Sequence, residues 1–590
     1  MEENDEFIFQ LNTKVCTVCE IRKSSDKFYD GKRKCKECIS KLRKESNKKI
    51  SEKINSCGSN NIDKKYVNTE DIDEEEHKRI TEYLIYLKEN INSVPKLKDV
   101  TTLLFFIDSL TEIRFTDLSA WINIGKCIYN YCNYNTEGLS IWLNYGEKYN
   151  IFNLNIITKQ QCIDLYKIFE HLPTITIRTI IYYVKIDSPK FYDNFYRHYF
   201  GTVGSSYLIE MNESNIATEI YKCYSTDYYY CRTENKLYYF DYNTHILNLD
   251  TAKTHLQENI QNVYRYYIKK FQQAYEKDIK TKNDINENFA KMYENIYKKL
   301  STCSSLNNII KLILPKFYYE NLNKILDKNM NILAIKNEVI EIVPMLNKII
   351  IRKAIPEDFI TKYIKIKYNK DLSYNHPHVI KLLKYFDQLF PNKYLKNYII
   401  KFCCACMIGK NVLKKFFILS GNTHGGKSMF IKLLKLTFGD YLQNVLRSIL
   451  NKSLSTNSNG PNPELLPLIG AHIAVVSEVD SSAVLDTDKI KSLSGGDFFF
   501  ARGCCKDGGE NVLTPYFLMI CNKIPTLSSI DDAISDRIQI IPFVAKYLPN
   551  VEDDPDNNIY KRDPSFEEYK LPYLAEALLW LIVDTYPKYI

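Results

Sequence analysis

Apolar residues recur at helical spacing in the first half of the chain. From residue 80 to about residue 200 they fall three or four positions apart, as in ITEYLIYLKENI. Trp121, Ile124, Ile128 and later Trp142 continue this pattern. This spacing puts the apolar side chains on one face of each helix, so it predicts a set of packed helices.

The pattern changes several times after residue 200. Residues 225–250 are rich in Tyr and read as β-structure with a turn at Glu234-Asn235. A long polar stretch over 252–300 predicts helix. The segments NILAIKNEVIEIV and KIIIRKAIPEDFITKYIKIKY again predict strands, because they are dense in β-branched residues.

The segment FFILSGNTHGGKSMFIKLLKLTF carries the strongest chemical signal. An apolar strand, Phe416 to Leu419, runs into the pattern GxxxxGKS, and an apolar-periodic helix follows. Glycines allow backbone N–H groups to surround phosphate oxygens, and the helix presents its positive end to them. We therefore predict a nucleotide site formed by Gly421, Asn422, Thr423, His424, Gly425, Gly426, Lys427 and Ser428. Lys427 would neutralise the β- and γ-phosphates and Ser428 would ligate Mg²⁺, with ATP as the nucleotide.

Two further apolar strands end in polar residues. Ile473 to Val476 leads to Glu478, which is placed to polarise the attacking water, and to Asp480, which would assist through Mg²⁺ or cap the loop. The strand Tyr516 to Asn522 ends in an amide suited to sensing the γ-phosphate, because ligands bind at the carboxyl ends of parallel strands. Arg537 follows in DDAISDRIQIIPF. It is either an arginine finger for a neighbouring subunit or a surface arginine in an ion pair.

Between these two strands the segment SGGDFFFARGCCKDGGENV predicts a loop or hairpin. Its aromatic run Phe498 to Phe500 and the basic residues Arg502 and Lys506 are of the kind that track single-stranded nucleic acid.

Near the N-terminus, two CxxC pairs stand fifteen residues apart. This spacing predicts a tetrahedral Zn²⁺ site formed by Cys16, Cys19, Cys35 and Cys38. Residues 11–50 also contain 13 Lys and Arg against 5 Asp and Glu, a local excess of 8. Because the whole chain carries +8, the remaining residues balance. The charge favours a polyanion partner for this module, although DNA, RNA and protein all stay open.

Composition excludes several classes. The apolar run Ala577 to Val583 falls far short of the ~20 residues that a membrane span needs. The start MEENDEFIFQ lacks the apolar segment of a secretory signal. We therefore expect an intracellular protein with no membrane partner, whose 17 Cys are thiols or metal ligands.

Taken together, GNTHGGKS, SEVD, KxLSGGDxxxARG, MICNKIP and DDAISDRIQIIPF resemble a superfamily 3 helicase. In particular they resemble the poxvirus-type and large-DNA-virus primase-helicases and their phage relatives, over about residues 380–590. The resemblance implies a homo-hexameric ring of AAA+-like subunits that hydrolyses ATP while moving on single-stranded DNA at replication forks. It also implies that Lys491, together with Arg502 and Lys506, contacts DNA.

The helical part carries a second resemblance. WINIG from Trp121, EGLSIW from Glu137 and TIRT from Thr176 are similar to the helical domain that follows the catalytic domain of viral and phage primases. Too few residues precede it here to hold a polymerising domain beside the cysteine module. We therefore expect no primase activity in this chain, and a separate primase or polymerase as a partner.

The sequence thus predicts a multidomain α/β protein with a P-loop ATPase core on a parallel sheet. The expected parts are a zinc module (1–45), a polar linker (46–79), a helical domain (80–200), an α+β domain (201–375) and the ATPase domain (376–590). The predicted function is an ATP-dependent DNA helicase of viral or mobile-element replication, at work in the host cytoplasm or nucleus. The alternative is a non-unwinding ATPase scaffold or loader that recruits a separate primase through the zinc module.

Overall fold

The structure is a computed structural model, and it separates the chain into two compact units, residues 1–77 and 78–590. It describes residues 13–15, 22–24, 100–132, 136–171, 175–189, 191–192, 212–278, 285–336, 338–450, 463–477, 484–496, 498–501, 509–512 and 514–589. In the first unit, the antiparallel strands β1 (Thr13–Val15) and β2 (Arg22–Ser24) bracket the first CxxC pair in the sequence. The four cysteines predicted to bind zinc, like the segment ITEYLIYLKENI, lie outside the described residues.

The described residues from 100 to 187 are helical, as the apolar spacing predicts. The helices are α1 (Val100–Ile107), α2 (Glu112–Thr116), α3 (Leu118–Tyr131), α4 (Thr136–Lys148), α5 (Lys159–Ile168) and α6 (Ile177–Asp187). Trp121 of α3 and Trp142 of α4 are fully buried, with ring centroids 5.2 Å apart. A Cβ on Gly125 would lie 2.4 Å from Cε2 of Trp142, so this close packing requires glycine.

The following region combines small antiparallel sheets with helices. β3 (Tyr228–Cys231), β4 (Lys236–Asp241) and β5 (Ile246–Leu249) form the predicted β-structure, and Asn235 takes a left-handed conformation in the turn (φ 51°). The polar stretch is helical, as predicted. The helices here are α7 (Glu213–Tyr224), α8 (Thr254–Asp278), α9 (Ile285–Leu300), α10 (Cys303–Ile313) and α11 (Leu322–Ile325).

A second antiparallel sheet follows, and it corrects one prediction. β6 (Ile332–Ile335), β7 (Glu338–Val343) and β8 (Lys348–Arg352) are strands as expected. The rest of the segment, AIPEDFITKYIKIKY, is not a strand: it begins with a short 3₁₀ turn at Pro356–Asp358, and among the described residues its β-bridge to the sheet joins Ile364 to Ile335. Proline lacks the N–H that a ladder needs, and the apolar residues of this segment pack into the core instead.

Polar side chains join this segment to the helices. The carboxylate of Glu357, which is 2% exposed, accepts hydrogen bonds from the Thr176 N–H (2.9 Å) and the Thr179 hydroxyl (2.7 Å). Next to it, Arg352 pairs with Glu341 at 2.6 Å and with Asp358 at 2.7 Å. Because a buried charge is costly unless it is paired, these contacts define how α6 meets the segment after β8.

The C-terminal core, the predicted ATPase domain, is built on a parallel sheet. Among the described residues its strands lie in the order β10, β11, β15, β9, β17. They are β9 (Phe416–Ser420), β10 (Leu442–Val445), β11 (Ile473–Val476), β15 (Tyr516–Cys521) and β17 (Ile538–Pro542). Shorter strands are β12 (Val484–Leu485), β13 (Phe498–Ala501), β14 (Gly509–Val512), β16 (Thr526–Leu527), β18 (Lys546–Leu548) and β19 (Ile559–Lys561). The helices are α12 (Pro377–Leu389), α13 (Lys393–Ala405), α14 (Lys427–Phe438), α15 (Thr487–Gly495), α16 (Asp532–Arg537) and α17 (Leu571–Tyr589).

Strand order explains where a ligand can bind in this core. β9 is first in the chain but lies between β15 and β17, which come later. The carboxyl ends of these parallel strands therefore open a crevice beside β9. Within the described part of the chain, none of the helices is both long and apolar enough to cross a bilayer.

Candidate functional site

The glycine-rich turn lies at the carboxyl end of β9, in the predicted strand–loop–helix arrangement. Helix α14 begins at Lys427, directly after Gly426, which has a left-handed conformation (φ 85°). A Cβ on Gly426 would lie 2.6 Å from Cδ2 of Leu389 and 3.1 Å from Cε2 of Tyr547. Gly426 therefore needs both the backbone freedom and the small size of glycine, and the turn presents the N-terminus of α14 to the crevice.

Lys427 connects this turn to the strand beside it. Its ammonium donates hydrogen bonds to the carbonyls of Gly421 (2.5 Å) and Asn422 (2.9 Å) and to Oδ1 of Asn522 (3.1 Å). Asn522 directly follows β15, and the register pairs Cys521 with Ser420, so the predicted sensor and the turn share one sheet edge. Lys427 is 6% exposed, and burial lowers its pKa. The structure thus brings two of the sequence-predicted site residues into direct contact.

A cavity of about 1620 Å³ opens in front of the turn. Residues 423–429 and 520–523 form one wall, and the other wall comes from α12 and the C-terminal segment. Lys381, Lys384, Lys561 and Arg562 add positive charge to the lining. A basic cavity at a helix N-terminus is suited to a polyphosphate.

Sequence reasoning missed the aromatic part of this cavity. Tyr385 of α12 and Tyr547 line it, and the Tyr385 ring lies 5.1 Å from that of Phe566. Both tyrosine hydroxyls are buried, and neither has a hydrogen-bond partner among the described residues. These residues come from segments more than a hundred positions apart, so no local motif signals them. Lys523 also lines the cavity. It could have been identified from the sequence, because it directly follows Asn522, the predicted sensor.

The predicted water-polarising residues lie outside the described residues. β11 ends at Val476, which pairs with Met519 of β15, and Glu478 and Asp480 follow in the part that is not described. Their roles stay predictions.

Arg537 lies at the opposite edge of the sheet from the turn. It is the last residue of α16, and the next residue, Ile538, pairs with Phe416 at the start of β9. Because a strand residue adds about 3.3 Å, Arg537 lies roughly 15 Å along the sheet from the turn of its own chain. Its guanidinium donates to the Ala533 carbonyl at 3.0 Å. Arg537 is therefore not part of the cavity within its own chain.

The predicted nucleic-acid segment contains a β-hairpin. β13 and β14 pair antiparallel, with Phe498 opposite Val512 and Ala501 opposite Gly509. Arg502 and Lys506 lie in the connection, which is outside the described residues. Lys491 is on α15, where its ammonium lies 2.6 Å from the Asp531 carboxylate, so a nucleic-acid phosphate would have to replace that carboxylate.

The chain is similar to known proteins over most of its length. Residues 217–391 match the family described as "D5 N terminal like". The chain is 26% identical over 497 residues to "Putative helicase L207/L206" of Acanthamoeba polyphaga mimivirus, covering 81% of this chain and 49% of that protein. It is 28% identical over 309 residues to "Putative helicase 184R" of Invertebrate iridescent virus 6, covering 50% of this chain and 31% of that protein. The chain thus spans about a third to a half of the length of these relatives.

Among solved structures, the chain is similar to the NrS-1 C terminal region. The TM-score is 0.28 at 17% identity, and the match covers 39% of this chain and 50% of that chain. The family match and the viral relatives support a relationship of this chain to the D5-type primase-helicase family. They confirm the resemblance to large-DNA-virus primase-helicases.

Proposed function

We propose that this protein is an ATP-dependent DNA helicase that acts in the genome replication of a virus or mobile element. The observation that carries the proposal is the meeting of Lys427 and Asn522 at one edge of the parallel sheet, in front of a basic cavity. The viral relatives that are named helicases support the same role.

The roles of Lys427, Ser428 and Asn522 are assigned from their positions at the turn and the strand end, and those of Glu478 and Asp480 from the sequence. ATP binds with its phosphates in the turn from Gly421 to Ser428, whose N–H groups and helix N-terminus favour anions. Lys427 neutralises the β- and γ-phosphates, and Ser428 ligates Mg²⁺. Asn522 contacts the γ-phosphate or the attacking water. Glu478 polarises that water, and Asp480 is a further Mg²⁺ contact. Mg²⁺ held by Ser428 would neutralise part of the phosphate charge.

Arg537 acts on a neighbouring subunit. It lies at the sheet edge opposite its own turn, so it completes the site of another copy in a homo-hexameric ring. A positive group supplied in this way stabilises the charge that develops on the transferred phosphoryl group.

Single-stranded DNA binds in the ring through the hairpin β13–β14 and its basic connection. Lys491, Arg502 and Lys506 contact phosphates there, which makes binding salt-dependent. The cysteine module binds Zn²⁺ through Cys16, Cys19, Cys35 and Cys38, a donor set that suits a structural site. It recruits a separate primase or polymerase at an intracellular replication fork.

Unwinding of a forked DNA duplex by the purified chain tests this proposal. We expect strand separation that requires hydrolysable ATP and is absent in Lys427→Ala. ATP hydrolysis that is indifferent to single-stranded DNA, together with no strand separation, would contradict the proposal.

The second candidate is a non-unwinding ATPase that serves as a scaffold or loader. The local excess of 8 positive charges around the CxxC pairs favours a docking role for the first unit. Deleting residues 1–60 separates the two functions. A scaffold loses its partner and keeps ATP hydrolysis, and it never separates strands in either form.

A further inference from the structure

The ammonium of Lys427 has its hydrogen-bonding capacity filled by acceptors of its own chain. A lysine ammonium has three N–H donors. Among the described residues, its acceptors are the carbonyls of Gly421 and Asn422 and Oδ1 of Asn522, all within 3.1 Å. A phosphate that binds Lys427 must therefore displace at least one of these acceptors.

The two carbonyls are held in place by the turn itself. The Asn422 carbonyl also accepts a hydrogen bond from the Gly425 N–H at 3.2 Å. Gly421 packs so closely that a Cβ there would lie 2.3 Å from the Phe543 carbonyl oxygen. Moving either carbonyl would disturb the turn that has to bind the phosphates.

Asn522 is the acceptor that can move. It follows the last residue of β15, and its side chain is exposed. A rotation about its side-chain bonds releases Lys427 without any change in the backbone. A phosphate oxygen replaces it readily, since hydrogen bonds between two charged groups are stronger than those to a neutral amide.

We infer that Asn522 is a positioning residue that holds the Lys427 ammonium and is released when the β-phosphate of a nucleotide binds that ammonium. The inference rests on the proposed function and adds an order of events to it. The amide becomes free to contact the γ-phosphate or the attacking water only after a nucleotide has displaced it from Lys427.

Asn522 then has opposite effects on binding and on hydrolysis. When ADP binds, the contact between Asn522 and Lys427 is broken. Because ADP has no γ-phosphate, Asn522 gains no new contact that compensates for this loss. Removing the amide should therefore tighten the binding of ADP while it slows the hydrolysis of ATP. A residue that only senses the γ-phosphate would leave ADP affinity unchanged.

The test is the affinity of the full-length chain for MgADP, measured by titration calorimetry, beside the kcat for ATP. We expect Asn522→Ala and Asn522→Leu to bind MgADP about fivefold more tightly, the net contribution of one hydrogen bond. Both should also show a lower kcat. Unchanged melting temperatures would show that the variants fold, as expected for an exposed position.

Lys523→Ala is the matched control, because Lys523 lines the same cavity next to Asn522. Its loss should weaken MgADP binding or leave it unchanged. MgADP affinity that falls or stays the same in both Asn522 variants would overturn the inference, as would equal tightening in Lys523→Ala. Failure of the wild-type chain to bind MgADP at all would instead overturn the proposed function.

Discussion

The helical region and the C-terminal core both carry short sequence motifs, but the motif residues make different kinds of contact in the two regions. In the helices, Trp121, Gly125 and Trp142 pack against one another, and Thr176 and Thr179 bind the buried Glu357. In the C-terminal core, the residues of the glycine-rich motif lie at the carboxyl ends of the strands and line a cavity. A motif whose polar groups have partners inside the fold stabilises the structure, whereas a motif that faces a cavity is available for a ligand.

Substitution of Arg537 tests this comparison most strongly, because we expect it to have the largest effect on ATP hydrolysis. Arg537→Ala should lower kcat for ATP by about 1000-fold, the size of an arginine-finger contribution. Mixing it with Lys427→Ala should restore part of the activity, because some sites then pair an intact turn with an intact Arg537. Phosphate release measured across mixing ratios checks this.

Lys415→Ala is the control for Arg537, since Lys415 is a half-buried cation at the same sheet edge and contacts the Asp536 carbonyl. Its kcat should stay close to the wild-type value. If mixing the two inactive variants restored nothing, Arg537 would not act across subunits.

Lys427→Ala should lower kcat by at least about 100-fold, as removal of one fixed donor at a reacting group does. The fold should persist, because within the described part of the chain the Lys427 ammonium bonds only to the turn and to Asn522. Lys432→Ala is the matched control: Lys432 is on the same helix and pairs with Glu567 at 2.6 Å outside the cavity. Equal rates for the two variants in a phosphate-release assay would rule out a catalytic role for Lys427.

In the helical region the comparison predicts a loss of stability and no chemical effect. Gly125→Ala places a methyl group against Trp142 and should lower the free energy of unfolding by about 2 kcal/mol, within the range for overpacked cores. Ser140→Ala, at an exposed position of α4, is the control and should change little. Urea unfolding measures both. A tolerated Gly125→Ala would mean that the tryptophans are not packed as described.

The smallest expected effect is a pH dependence at the cavity rim. Asp563 accepts hydrogen bonds from Lys570 (2.7 Å) and Ser565, which lower its pKa to about 2. In the unfolded chain its pKa is about 3.9. Its contribution to stability is therefore complete above the unfolded value and is lost as the pH falls towards 2.

Because the Asp563–Lys570 pair is largely exposed, its contribution should stay below about 1 kcal/mol. Urea unfolding of wild type and Asp563→Asn at about pH 7 and about pH 3 checks this, with the wild-type advantage shrinking at the lower pH. An advantage that is the same at both pH values would contradict the assignment.

Local patterns were enough to predict the main elements of the C-terminal core. The strand at Phe416, the turn, the helix after Lys427 and the hairpin near Gly509 are all set by neighbouring residues. The approach of Asn522 to Lys427 also followed, because parallel strands bring their carboxyl ends to one edge.

Contacts between distant residues could not be predicted in this way. Thr179 meets Glu357, 178 positions away, and nothing in either segment names the other. The segment after Arg352 has the β-branched composition of a strand. It does not form one, because Pro356 lacks a backbone N–H and because the apolar side chains of the segment pack into two different cores. For the same reason, the sequence did not predict that Tyr385 and Tyr547 line the cavity.

The most direct test of the central claim is the rate of ATP hydrolysis by the full-length chain with and without single-stranded DNA. If a nucleotide held by Lys427 and Ser428 drives movement along a strand, the DNA should raise the rate several-fold, and the stimulation should vanish in Lys427→Ala. A rate that DNA leaves unchanged, or hydrolysis that persists in Lys427→Ala, would contradict the account.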